Sequence, residues 1–237
     1  MLRIEGLSVH GSDNGHAILR DVNLEIEQGK FVVVTGPNGG GKTTLAKAIM
    51  GIMPSSGGRI FYNDLDITDL DITGRAKLGI SYGFQQPPRF KGMTVSDMLA
   101  TAHGGDLALD VACGYLTKVG LCANDYLHRE IDSSLSGGEV KRIEIACILA
   151  RDGQLMMFDE PEAGIDLWSF SRLTETFKRL HEKSDKTILI ISHQERILRI
   201  ADEILLVSGG AITLQGPMQK IYPHIIQQVD MTCDCME

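Results

Sequence analysis

Several features are scarce in this 237-residue chain, and each scarcity closes off a class of protein. Apolar runs such as Ile188-Leu189-Ile190-Ile191 stop far short of the ~18 residues a membrane-spanning helix needs. Positive charge is in deficit. Lys and Arg number 23 against 31 Asp and Glu, a formal net charge of -8 that argues against broad nucleic-acid binding or adhesion to an anionic bilayer. The five cysteines, Cys113, Cys122, Cys147, Cys233 and Cys235, are an odd number without disulfide-framework spacing. No secretory signal is evident in Met1-Leu2-Arg3-Ile4-Glu5, which reads as ordered sequence, so a reducing cytoplasm is the expected setting. Internal repeats, low-complexity stretches and room for a long coiled-coil insertion are also missing.

What is present is an alternation of strand and helix signals. Strand-like runs at Leu2 to Val9, Val22 to Ile26 and Phe31 to Thr35 open the chain, the first two alternating and the third apolar throughout. Further runs at Arg59 to Tyr62, Ile80 to Phe84, Leu155 to Phe158, Thr187 to Ile191, Glu203 to Val207 and Ala211 to Leu214 are expected to complete a mixed sheet, which makes the fold class α/β. Between Gln85 and Leu135 strand signals fade. Val95 to Ala102 and Leu107 to Val119 read there as helices of a compact inserted subdomain, hinged at Gln86-Pro87-Pro88. Leu167, Phe170, Leu173, Phe177 and Leu180 recur at helical spacing beside Trp168 and read as core.

Gly36-Pro37-Asn38-Gly39-Gly40-Gly41-Lys42-Thr43 follows the third strand and precedes a helical pattern, the setting of a phosphate-cradling loop. Glycines at 36, 39, 40 and 41 let successive N–H groups turn inward, Lys42 supplies a point charge for the β- and γ-phosphates, and Thr43 a hydroxyl for Mg²⁺. The following helix adds its positive end to the same anion. The chain is therefore expected to bind a nucleoside triphosphate. Leu155 to Phe158 then ends in Asp159 and Glu160, a rigid strand that can hold one carboxylate at the metal and the other at an attacking water. Leu135-Ser136-Gly137-Gly138-Glu139 opens a long helix. Ser136 and Glu139 have capping-box spacing, and two glycines at a helix start lower helix propensity, which makes sense if a phosphate approaches closely.

In this order the motifs resemble those of an ATP-binding cassette (ABC) ATPase, over nearly the whole chain. The resemblance implies a single domain, residues 1–237: a RecA-like mixed-sheet core with an antiparallel β subdomain (1–84 and 136–237), an inserted helical subdomain (85–135) and a flexible tail (230–237). It implies that Gly36, Asn38, Gly39, Gly40, Gly41, Lys42, Thr43 and Thr44 hold the phosphates of ATP, and that Thr43, Gln85 and Asp159 hold Mg²⁺. Glu160, His193 and Gln85 would be catalytic, His193 as the switch histidine and Gln85 as the coupling glutamine. Ser136, Gly137, Gly138 and Glu139, with Asp166 in Glu162-Ala163-Gly164-Ile165-Asp166, would act in trans, giving an ATP-dependent head-to-tail homodimer. The family usually stacks adenine on an aromatic ring near the first strand; here the stretch is Ser8-Val9-His10-Gly11, leaving His10, or apolar Val9 and Ile18, for the base.

A narrower likeness is to the SufC ATPases of iron-sulfur cluster assembly. It rests on Glu139, Lys141-Arg142, Glu144-Ile145, Gly164-Ile165-Asp166 and His193-Gln194-Glu195-Arg196-Ile197-Leu198, and it implies a soluble SufB-like scaffold as partner. Pro161 after Glu160 is instead as in transporter cassettes, and Gln194 stands where the SufC pattern has tyrosine. The alternative is the ATP-binding subunit of a membrane ABC transporter, its helical subdomain receiving coupling helices from permease subunits. Cys233-Asp234-Cys235 either holds soft iron or an iron-sulfur fragment or is a free thiol pair.

Overall fold

The protein is described as a computed structural model covering residues 1–11 and 15–233. β1 (Leu2–His10) and β2 (Ala17–Ile26) pair antiparallel, and β3 (Phe31–Thr35) runs through the glycine loop into α1 (Lys42–Met50). β4 (Gly57–Tyr62) and β5 (Leu65–Asp66) return to the first pair, giving a four-stranded sheet ordered β2-β1-β4-β5. On β1 the buried residues are Leu2 and Ile4, then Leu7 and Val9, a change of phase that alternation alone forbids. A register shift between Ile4 and Leu7 supplies the extra residue, at Gly6 with φ 61°.

The chain continues through α2 (Ile72–Lys77) to β6 (Ile80–Gly83), then β7 (Phe90–Thr94), α3 (Val95–His103), α4 (Leu109–Lys118), α5 (Ala123–Tyr126) and β8 (Glu130–Ile131). After these come α6 (Gly137–Arg151), β9 (Leu155–Asp159), α7 (Leu167–Lys183), β10 (Thr187–Ile191), α8 (Glu195–Leu198), β11 (Glu203–Ser208), β12 (Ala211–Pro217) and α9 (Met218–Cys233). The second sheet is ordered β12-β11-β3-β10-β9-β6, parallel except for β12 at its edge. Its central strands β3, β9 and β10 are buried along their whole length, because both faces are covered. Phe31, Val33, Met156, Phe158, Ile188 and Ile190 pack with α6, α7 and the helices after β7, whereas Val32, Val34, Leu155, Met157, Leu189 and Ile191 pack with α1 and the antiparallel sheet.

Four expectations change. The Arg59 to Tyr62 run belongs to the separate antiparallel sheet, where it pairs with β1, not to the mixed one. β2 begins at Ala17 rather than Val22. The stretch after Gln85 holds a strand pair, β7 with β8, too short to leave a periodic signature. On α7, Phe170, Leu173 and Phe177 are core, but Leu167 is 62% and Trp168 84% exposed, because burial on this helix starts only after its first turn. Among the described residues no helix is long and apolar enough to cross a membrane. Beyond the backbone of Cys233 the Cys-x-Cys expectation lies outside the described residues.

Candidate functional site

The parallel register of β3, β9, β10 and β6 brings their C-terminal ends to one edge of the sheet, and the groups singled out in the sequence collect there. Gly36, at φ 135°, runs so close under β11 that a Cβ would stand 2.1 Å from the Val207 carbonyl oxygen. Only glycine fits. Gly39, at φ 76°, has open space around it, so its side of the loop is free for a ligand. Gly40 donates its N–H to the Pro37 carbonyl at 3.1 Å and accepts from Gly210 N–H at 3.0 Å, which fixes the loop at Asn38 from both sides. α1 starts at Lys42 with Gly41 as N-cap and no capping side chain, leaving first-turn N–H groups, those of Thr43 and Thr44 among them, without a side-chain acceptor.

Lys42 lies 6% exposed, its Nζ donating to the Gly36 and Pro37 carbonyls at 2.7 and 2.9 Å. Burial lowers its pKa, against the charges of Glu160 and Asp159, which raise it. Asp159 is wholly buried at the end of β9. Its Oδ1 accepts from Thr43 Oγ1 at 3.2 Å and its Oδ2 from Tyr82 Oη at 2.8 Å, and burial followed by the Asp159 charge raises the tyrosine's pKa.

Glu160 sits at φ 45°, an uncommon conformation for a residue with a side chain. Its N–H donates to the Ile191 carbonyl at 3.0 Å, and its Oε2 accepts from Gln85 Nε2 at 2.7 Å. His193 follows β10 with Nδ1 3.4 Å from Thr35 Oγ1. Burial first, then the Lys42 charge, lowers its pKa against the pull of Glu160, which favours the neutral ring. The turn that carries it is pinned by buried Ser192, whose Oγ donates to Glu162 Oε1 at 2.6 Å and accepts from Gln194 N–H at 3.0 Å. The loop, Lys42, Thr43, Asp159, Glu160, Gln85 and His193 thus form one cluster.

Ser136 to Glu139 make no hydrogen bond to this cluster among the described residues. Ser136 caps α6: its Oγ accepts from Glu139 N–H at 3.3 Å, and Glu139 Oε2 accepts from Ser136 N–H at 2.6 Å. A Cβ on Gly138 would lie 2.5 Å from the Gly164 carbonyl oxygen, whereas one on Gly137 would meet nothing within 4 Å. Packing inside the chain therefore excludes a side chain at Gly138, while at Gly137 no atom of the chain within 4 Å would meet one. Asp166 caps α7, its Oδ1 accepting from Trp168 and Ser169 N–H at 3.0 and 2.9 Å.

Of the residues expected at the base, His10 is exposed with Nδ1 2.6 Å from Ser56 Oγ, and Ile18 is partly buried beside the loop, its carbonyl near Gly41. Val9 is corrected. It has no exposed surface, being packed in the core under the antiparallel sheet, and cannot face a base. Tyr82 and Ser192 escape sequence reasoning, and Lys141 and Glu144 enter it only through the SufC likeness; their contacts with Asp159, Glu162 and Phe84 join segments far apart in sequence.

A family model described as ABC transporter matches residues 19–163. The chain is 35% identical over 229 residues to an uncharacterized ABC transporter ATP-binding protein of Methanocaldococcus jannaschii, covering 93% of this chain and 90% of that protein. It is 32% identical over 232 residues to the phosphonates import ATP-binding protein PhnC of Lactococcus lactis subsp. cremoris, covering 91% and 93%. Its fold superposes on a dimeric structure of a bacterial ABC transporter cassette with a TM-score of 0.83 at 22% identity, over 92% of this chain and 99% of that one.

These relatives are named for transport. They overturn the expectation of a SufC-like motor acting on a SufB-like scaffold in iron-sulfur cluster assembly. The residues behind that expectation have work inside this chain: Glu139 completes the α6 cap and accepts from Tyr126, and Lys141 and Glu144 are paired with each other. Pro161, which matched transporter cassettes, agrees with the names of these relatives.

Proposed function

From the premise that the chain belongs to the ABC transporter family, as an ATP-binding and ATP-hydrolysing member, we propose that it energises import through membrane permease subunits. The first-turn N–H groups of α1 and the open face of the loop at Gly39 receive the β- and γ-phosphates of ATP, with Asn38, Gly40, Thr44 and the rest of the loop around them. Lys42 exchanges the Gly36 and Pro37 carbonyls for phosphate oxygens.

Thr43 Oγ1 and Asp159 Oδ1, already 3.2 Å apart, would hold Mg²⁺ with the amide oxygen of Gln85, an all-oxygen donor set that suits the ion, and the bound ion would neutralise phosphate charge. Glu160 takes the proton of the attacking water, held meanwhile in place by Gln85. His193, within the field of Lys42 and Glu160, donates to the γ-phosphate. A second copy of the chain, docked head to tail, brings Ser136, Gly137, Gly138, Glu139 and Asp166 to the other side of the nucleotide. The inserted unit 85–135 carries the permease contact.

The observation that carries the permease reading is a groove of about 380 Å³ beside Gln85, between that unit and the sheet, lined by Phe84, Pro87, Phe90, Met98, Ile143 and Ile148. Phe90, 41% exposed, offers an apolar partner a foothold there, and whatever presses on Phe84 and Pro87 bears on Gln85 and, through a 2.7 Å bond, on Glu160. Purification of the tagged chain from its native membranes in detergent, followed by mass spectrometry and reconstitution, tests this. We expect an integral membrane protein whose presence raises ATP turnover, and we expect Phe90→Asp to lose that protein while keeping ATP affinity. A detergent-independent complex free of membrane protein would overturn the reading.

A further inference from the structure

Lys141 is 1% exposed, a lysine placed where α6 otherwise presents core residues. Its Nζ donates to two carbonyls, that of Phe84 and that of Asp159 at 3.1 Å, while Glu144 Oε2 stands 3.6 Å away as an ion-pair partner without a hydrogen bond. One turn along the same helix, Glu144 Oε1 accepts from Phe84 N–H at 2.9 Å. α6 therefore grips the Phe84 residue at both its N–H and its carbonyl, and with the same ammonium grips the end of β9. The two carbonyls belong to the residues immediately before Gln85 and Glu160. The grip is closed from the other side, where the Phe84 ring packs edge-on against Tyr82 at 4.9 Å and Tyr82 Oη holds Asp159.

Stability alone does not account for this arrangement, since a buried ion pair is often no better than apolar residues of the same volume. We propose that Lys141 is a positioning residue for hydrolysis, joining the peptide before Gln85 to the peptide before Glu160 and so setting the spacing of those two side chains from α6. The inference rests on the assignment of Gln85 and Glu160 to the hydrolytic site. It adds that the helix opened by Ser136 reaches the reacting groups through its own chain, by a route that needs no nucleotide contact.

The test uses the full chain with MgATP. Lys141→Met combined with Glu144→Leu removes both charges together and leaves neither unpaired. We expect kcat at least tenfold below the parent, with KM and ATP Kd within threefold and a cooperative melt retained. Adding Gln85→Ala should then lower kcat by less than a further threefold, because the clamp acts through Gln85. Lys141→Gln, which keeps two N–H donors for the two carbonyls, should recover part of the turnover, and it supplies the reading if the double variant does not fold. A kcat within twofold of the parent in the folded variants, or a loss that appears equally in Kd, or one that multiplies fully with Gln85→Ala, overturns the clamp. If Gln85→Ala and Glu160→Gln themselves leave kcat unchanged, the site assignment falls and the clamp with it; if they impair turnover and the Lys141 variants do not, the clamp alone falls.

Discussion

Gly137 and Gly138 are neighbours of identical chemistry with opposite requirements. A methyl group on Gly138 collides with the Gly164 carbonyl, so Gly138→Ala should destabilise the fold by about 1–3 kcal/mol and lower the melting temperature by several degrees. Gly137→Ala meets nothing within 4 Å and sits at the first helical position, outside the helix interior where glycine is costly. Its melt should be unchanged or higher, while ATP turnover falls because the face left open to a second copy is filled. Calorimetry and turnover measured on the pair check both statements. Glu160→Gln should keep ATP affinity and reduce kcat by roughly 10²–10⁴-fold, the scale of a lost general base, as read by phosphate release. Lys42→Ala should act on binding instead, raising the ATP Kd by roughly 10–100-fold, as expected for charge-assisted hydrogen bonds worth about 1.5–3 kcal/mol.

Among the elements, α6 has the most elaborate beginning. Besides the Ser136–Glu139 box, the Tyr126 hydroxyl at the end of α5 donates to Glu139. That bond, ahead of the bonds from Ser136, holds the Glu139 carboxyl at about 2, below its ordinary 4.5. A carboxyl depressed in the folded state adds stability that is fully present above pH 4.5 and is lost as pH falls toward 2. Tyr126→Phe should therefore be less stable than the parent by about 1 kcal/mol at pH 7 in denaturant unfolding, and the gap should close as pH falls from 4.5 toward 2. A gap independent of pH would detach Tyr126 from the cap.

The cap was legible because it is written in four consecutive residues, and the central strands were legible because β3, β9 and β10 are apolar along their whole length. β7 and β8 were not, since each is defined by its partner across the chain and neither has a period of its own. Leu167 fell to the same limit: it has the right spacing for the buried stripe but sits in the one turn the core does not reach.

At the scale of the whole molecule, the phosphate loop, the carboxylates and His193 could be named from their order along the chain. What ties them together could not. Tyr82 on Asp159, Ser192 on Glu162 and Lys141 on the Phe84 and Asp159 carbonyls join segments distant in sequence. The residue run that suggested an iron-sulfur role misled because it serves the α6 cap and an internal ion pair, a constraint of packing that unrelated partners can share. Since each reaction centre of the proposed dimer needs residues from two copies, the isolated chain should be largely monomeric and slow in turnover. Glu160→Gln with ATP should instead sediment as a dimer in analytical ultracentrifugation. A tight dimer without nucleotide would count against shared sites.

The backbone abutment of Gly138 against Gly164 has a consequence for that dimer. The first turn of α6 and the stretch ending in Asp166 are wedged together with no side chain between them to yield, so neither can shift without pushing the other. One copy would lend both to its mate, and the same stretch begins at the copy's own Glu160. Two bound triphosphates could then hardly fire as strangers: a disturbance at one γ-phosphate would be felt as a mechanical nudge at the other.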